Sequence, residues 1–107
     1  MPQAERELTL RFLAEPTDVN FGGKVHGGAV MKWIDQAAYA CAAGWSGHYC
    51  VTLYVGGIRF YKPVLIGTLV EVHAKIIYTG TTVKLRVVLH QLIRDCGIDV
   101  RGRPNHR

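Results

Sequence analysis

The chain has 107 residues, 49% of them hydrophobic and 20% charged, with a formal net charge of +5. These values describe one globular domain with a thin core and exclude a disordered chain. No stretch reaches the roughly 18 uncharged apolar residues of a membrane helix, and the polar opening MPQAERE is not expected to act as a signal peptide.

Residues 7–12, ELTLRF, alternate Leu8, Leu10 and Phe12 with Thr9 and Arg11, which predicts a half-buried strand. Pro16, Asn20 and four glycines then break regular structure through AEPTDVNFGGKVHGG. A helix is predicted from about residue 28 to 43. Val30, Ile34, Ala37 and Cys41 form its inner stripe, Met31, Asp35, Ala38 and Ala42 the adjacent one, and Gly44 and Gly47 end it. Residues 49–60, 68–77 and 82–92 read as strands, with Gly56-Gly57 as a bulge, Lys62-Pro63 and Ile66-Gly67 as turns and Thr79-Gly80-Thr81 as a hairpin. The last fifteen residues show no long strand pattern and read as a short edge element with a loose tail. The sum is an α+β layer, an antiparallel sheet on one helix.

The basic residues are spread over the first ninety positions. They gather only where Arg94, Arg101, Arg103 and Arg107 stand near Asp95 and Asp99. With no finger, helix-turn-helix or aromatic stacking motif, nucleic acid is not the expected partner. A small anionic ligand fits better. Cys41, Cys50 and Cys96 are odd in number and widely spaced, which argues against a disulfide framework or a zinc site and for a reducing cytoplasm. His26, His48, Cys50 and Asp35 form no recognised metal spacing, and no metal or other resident cofactor is expected.

The central segment carries the chemistry. A helix starting at Gly27-Gly28 offers unpaired N–H groups in its first turn, and glycine lets a ligand oxygen come close. That oxygen is a phosphate or a carbonyl becoming an oxyanion. The spacing of GGKVHGG lacks both dinucleotide and P-loop signatures. Asp35, among Met, Ile and Ala, is expensive to bury without a partner or a task. It lies seven residues beyond Gly28, about 10 Å of rise, so it cannot serve a group held at its own helix start. A two-fold dimer would place it opposite the turn of a second chain, as general base on water or as nucleophile. Its structural alternative is a hydrogen-bond acceptor for a nearby turn or for Tyr39. Asn20 would either serve its own turn or hold a carbonyl. His26 would cap the helix, donate to a ligand or sit at the surface.

The segment PTDVNFGGKVHGGAVMKWIDQAAYACA closely resembles the opening of hotdog-fold acyl-CoA thioesterases of the acyl-CoA hydrolase type, through Pro16, Asp18, Asn20, Gly23, Gly27, Gly28 and Asp35. The later stretch IRFYKPVLIGTLVEVHAKIIYTGTTVKLRV adds Arg59, Phe60, Pro63, Gly67, Gly80, Thr81 and Thr82, so the resemblance covers about residues 7–90 of a single domain 1–107, with an atypical tail at 93–107. It implies a hotdog sheet wrapped around the helix, with dimers joined sheet to sheet, or trimers of dimers. It implies active sites at the dimer interface that release coenzyme A and free acid, coenzyme A being part of the substrate. By the same resemblance Asp35 is the catalytic carboxylate and Asn20 a polar partner from the other subunit. The Gly28 N–H, with Gly27 and the neighbouring His26, polarises the thioester carbonyl.

Arg59, Lys62, Lys84 and Arg86 are candidate coenzyme A phosphate contacts, and Gly80, Thr81 and Thr82 candidate lining of its channel. Trp33, Ala37 and Tyr54 would shape the acyl tunnel. The family pattern continues with another long strand, which this sequence is expected to lack or alter beyond Leu92. That leaves a non-catalytic acyl-CoA-binding or assembly module as the alternative. A hotdog dehydratase using His26 fits the Asp-x-Asn and Gly-Gly pattern less well.

Overall fold

Alternation along ELTLRFL builds β1 (Glu7–Leu13), whose even-numbered side chains turn inward while its odd ones stay exposed. The computed structural model of the chain describes residues 6–55, 64–80, 82–89 and 92–100. After β1 a single 3₁₀ turn, Pro16–Asp18, is closed by the Glu15 N–H donating to Asp18 Oδ2 at 2.9 Å. The long helix α1 (Gly27–Ser46) follows, then β2 (Cys50–Val55), β3 (Leu69–Tyr78), β4 (Thr82–Leu89) and β5 (Leu92–Val100).

The five strands form one antiparallel sheet in the order β1-β3-β4-β5-β2. Helix α1 lies on one face of it. Val30, Trp33, Ile34, Ala37, Ala38, Cys41 and Ala42 from the helix pack against Val70, Val72, Ala74, Ile76, Val83, Leu85, Val87, Leu89, Cys96 and Ile98, all buried. Each fully buried aliphatic side chain stabilises the fold by about 1.5–3 kcal/mol. The alanines keep the helix thin on this side, so the sheet can close around it. Phe12 and Trp33 stack at 5.7 Å between ring centroids and tie β1 to the helix.

The helix runs past both predicted ends, from 27 to 46 rather than 28 to 43. Gly44 does not stop it. Gly47 does, in the left-handed region at φ 71°, with its N–H donating to the Ala43 carbonyl at 2.8 Å.

The expectation of a missing last strand and a short edge element is corrected. Residues 92–100 form an interior strand that pairs with β4 on one side and β2 on the other. Cys96 and Ile98 face the core, while Gly97 lies beneath the Tyr54 ring. The pattern was hard to read because the outward positions of this strand include Gly97 and Asp99, residue types that normally signal turns. The tail beyond 100 and the predicted features at 56–63 lie outside the described residues. Within β2 the register shifts between Thr52 and Tyr54. Before that shift the register is regular, so Thr52 lies two residues from buried Cys50 and opposite buried Ile98, on the helix side of the sheet.

Candidate active site

Three local structures hold the candidate residues of the central segment. The first is the loop around Asn20. Its side-chain Oδ1 accepts the Gly22 N–H at 3.0 Å and the Lys24 N–H at 3.4 Å, and its backbone N–H donates to the Lys24 carbonyl at 2.9 Å. The Asn20 side chain therefore serves its own turn through oxygen only. Its amide nitrogen has no partner among the described residues, and the residue is exposed. Gly23 completes the turn at φ 75°, where a β-carbon would be strained.

The second is the start of α1. The His26 N–H donates to the Asp18 carbonyl at 3.0 Å, and an antiparallel bridge joins Val19 to Val25. The asparagine loop and the helix start are thus one unit. His26 is the N-cap: its ring Nδ1 accepts the Ala29 N–H at 3.1 Å. Among the described residues the Gly27 and Gly28 N–H groups have no hydrogen-bond partner.

The third is Asp35, two turns into the helix. It is half-buried rather than fully enclosed, and no polar or charged residue of the described part is fully buried. Neither a nearby turn nor Tyr39, the two partners named for a structural role, is the one it uses. The Thr52 hydroxyl on β2 donates to Asp35 Oδ1 at 2.5 Å, a charge-assisted hydrogen bond. Oδ2 carries no hydrogen bond among the described residues. Because β2 is the outermost strand on that side among the described residues, this carboxylate stands beside the edge of the sheet. Sequence reasoning missed Thr52. Alternation from buried Cys50 puts Thr52 on the helix side, but only the packing of β2 against α1 brings it to Asp35.

The remaining candidates are dispersed. Lys84 and Arg86 are exposed on the sheet face away from the helix, opposite buried Val83, Leu85 and Val87, and so not on the side that holds Asp35. The Lys84 ammonium sits 5.4 Å from the centroid of the Tyr78 ring. Gly80 lies under that same ring, and Thr82 starts β4. Arg59, Lys62 and Thr81 lie outside the described residues. Ser46 serves the backbone, accepting the His48 N–H at 3.2 Å. Burial pushes the Cys41 thiol up to about 11 and the Cys50 thiol above its usual range, so neither offers a ready thiolate. Among the described residues no helix is long and apolar enough to cross a membrane, and no group of three potential ligands is placed to hold a metal ion.

Comparison with known proteins gives this geometry a lineage. Residues 22–94 match the family model described as Thioesterase superfamily. The acyl-CoA thioester hydrolase YciA of Salmonella typhimurium is 37% identical over 76 residues, covering 71% of this chain and 57% of YciA. The chain spans about half the length of the curated relatives it matches. An acyl-CoA hydrolase from Staphylococcus aureus is similar in structure, with a TM-score of 0.83 at 21% identity, covering 95% of this chain and 72% of that one. That hydrolase has been solved with butyryl coenzyme A and coenzyme A. It has also been solved as alanine variants of an asparagine, an aspartate fifteen residues later and a threonine seventeen beyond that. The hexameric thioesterase y2039 of Yersinia pestis matches at a TM-score of 0.78 and 28% identity, over 99% of this chain and 97% of that one. With one helix held against a five-stranded antiparallel sheet and a family match that runs from the asparagine loop into β5, this chain belongs to the thioesterase superfamily and has its hotdog fold.

Proposed function

We propose that this chain is an acyl-CoA thioester hydrolase. The observation that carries the reading is the Thr52–Asp35 pair: a half-buried carboxylate held by one oxygen, with the other left for a reacting group. Asn20, Asp35 and Thr52 stand fifteen and seventeen residues apart, the same spacing as the asparagine, aspartate and threonine replaced in the staphylococcal hydrolase. YciA, named for the same activity, supports it further.

The chemistry needs few groups. A thioester carbonyl has little resonance stabilisation, and a thiolate departs without an acid to protonate it. One carboxylate and one oxyanion site are therefore enough. Asp35 Oδ2 takes the proton from a water that attacks the carbonyl, or attacks that carbon itself to give an anhydride which water then opens. After a single turnover in heavy-oxygen water, label in the Asp35 carboxylate marks the covalent route. The Gly27 and Gly28 N–H groups and the Asn20 side-chain amide donate to the carbonyl oxygen as it gains charge. Asp35 sits about 10 Å up the helix axis from its own Gly28, so the two act in different chains. A second copy pairing along the β2 edge brings its asparagine loop and helix start to this Asp35. The y2039 hexamer supports such self-association. The net charge of +5 suits the polyanionic coenzyme A. Lys84 and Arg86 would reach its phosphates only from a neighbouring subunit. The binding-module alternative was drawn from a missing or altered last strand; that residues 92–100 form β5 favours the hydrolase reading.

The test is thiol release from short, medium and long acyl-CoAs by the wild-type chain, with Asp35→Ala alongside and the oligomeric state measured by sedimentation. Release by the wild type and loss in the variant are expected. A chain that releases no thiol at any length, or that stays monomeric while active, rejects this reading.

A further inference from the structure

We infer that His26 is a positioning residue for the hydrolysis, a neutral helix cap that reserves the Gly27 and Gly28 N–H groups for the substrate carbonyl. The inference rests on the acyl-CoA hydrolase reading. An α-helix begins with N–H groups that lack intrahelical partners. Here the His26 carbonyl accepts the Ala29 N–H at 3.1 Å and the Val30 N–H at 3.4 Å, and the His26 ring Nδ1 also accepts the Ala29 N–H at 3.1 Å. Ala29 and Val30 are thereby satisfied, and the two glycine amides are what remains. A ring nitrogen that accepts carries no proton, so the neutral imidazole has its hydrogen on Nε2. The ring also lies against the first turn. A β-carbon at Gly28 would stand 3.3 Å from Nδ1 and 3.5 Å from Cε1, so the glycine leaves room both for a ligand oxygen and for the capping ring.

The choice of cap has a consequence. Asp, Asn and Ser are the usual N-caps, and Asp also suits the positive end of the helix dipole. A carboxylate here would set a full negative charge beside the amides that must meet a developing oxyanion. Imidazole caps the same N–H without that charge. The His26 N–H bond to the Asp18 carbonyl holds the cap in register with the Asn20 loop, so one residue aligns both sets of carbonyl donors.

Stability and rate should therefore separate across a small set of variants, each assayed for thermal midpoint and for kcat and KM on the acyl-CoA that the wild type prefers. His26→Asn keeps an uncharged acceptor and should restore kcat to within about threefold, whereas His26→Ala should lose about ten- to a hundredfold in kcat with KM within about twofold. His26→Asp should be at least as stable as His26→Asn yet about tenfold slower, because the charge suits the helix end but opposes the developing oxyanion. A kcat that simply follows the thermal midpoint, with Asp as good as Asn, overturns the inference in favour of a purely structural cap. So does an Asn variant as slow as Ala, which would assign the role to Nε2. If the wild type releases no thiol while Asp and Asn still restore the midpoint lost in Ala, the hydrolase reading has failed and the cap is structural only.

Discussion

The two ends of α1 solve the same problem in opposite ways. At the C-terminal end Gly47 turns left-handed and gives its N–H to the Ala43 carbonyl, closing the helix on itself. At the N-terminal end His26 caps a single amide and leaves two glycine N–H groups without a partner among the described residues. One end spends its polar groups on stability. The other holds some back, and the Asn20 loop bound to it does likewise, committing its carbonyl oxygen and keeping its amide nitrogen. Changes at the closed end should therefore alter stability, and changes at the open end or at Asp35 should alter rate.

The sharpest break is Asp35→Ala. It should lower kcat by about a hundredfold or more, the scale of a lost nucleophile or base, with little change in the thermal midpoint, because the carboxylate is only half-buried. Loss of folded protein instead would make Asp35 a structural residue. Next comes Asn20→Asp, which keeps the oxygen acceptor of the turn and removes the nitrogen donor. Losing one oxyanion donor predicts a fall of about a hundredfold in kcat with the fold intact by circular dichroism. Near wild-type turnover would assign Asn20 to the turn alone.

Thr52→Val, which removes the hydroxyl that holds Asp35 Oδ1, should slow kcat about tenfold, and Thr52→Ser should recover most of it. Equal rates for Val and Ser would uncouple the threonine from the carboxylate. At the closed end, Gly47→Ala puts a β-carbon on a residue at φ 71° and should cost about 1 kcal/mol of stability, read by denaturant unfolding, with kcat unchanged.

The smallest effect concerns pH. Burial raises the Cys41 thiol from 9.0 to about 11, so the unfolded chain loses that proton first. The resulting stabilisation is present below pH 9 and is lost as pH rises through 11. Cys41→Ala should flatten the fall in thermal midpoint across that window. An unchanged slope would mean that other groups govern the alkaline limb.

Much of the fold was legible because its signals are local. Leu8, Leu10 and Phe12 alternate, Val83, Leu85 and Val87 alternate, and Val30, Ile34, Ala37 and Cys41 repeat at helical spacing, each imposed by one apolar surface. Gly44 misled because its backbone freedom carries only a modest cost inside a helix already anchored by packing on both sides of it. The segment 92–100 misled more. Its strand state comes from two neighbours, β4 and β2, that supply backbone partners to residues with weak strand preference.

The sequence by itself determined the apolar periodicities, the carboxylate within the helix, the glycine pair at its start and the spacing of Asn20 to Asp35. All of these are patterns within a few turns of chain. Strand alternation also set Lys84 and Arg86 opposite Val83, Leu85 and Val87, as the structure has them. Only the tertiary structure decided that Thr52 holds Asp35 and that residues 92–100 fill the interior of the sheet. Strand order sets those outcomes, and it arises from pairing between segments far apart in the chain, which no local periodicity encodes.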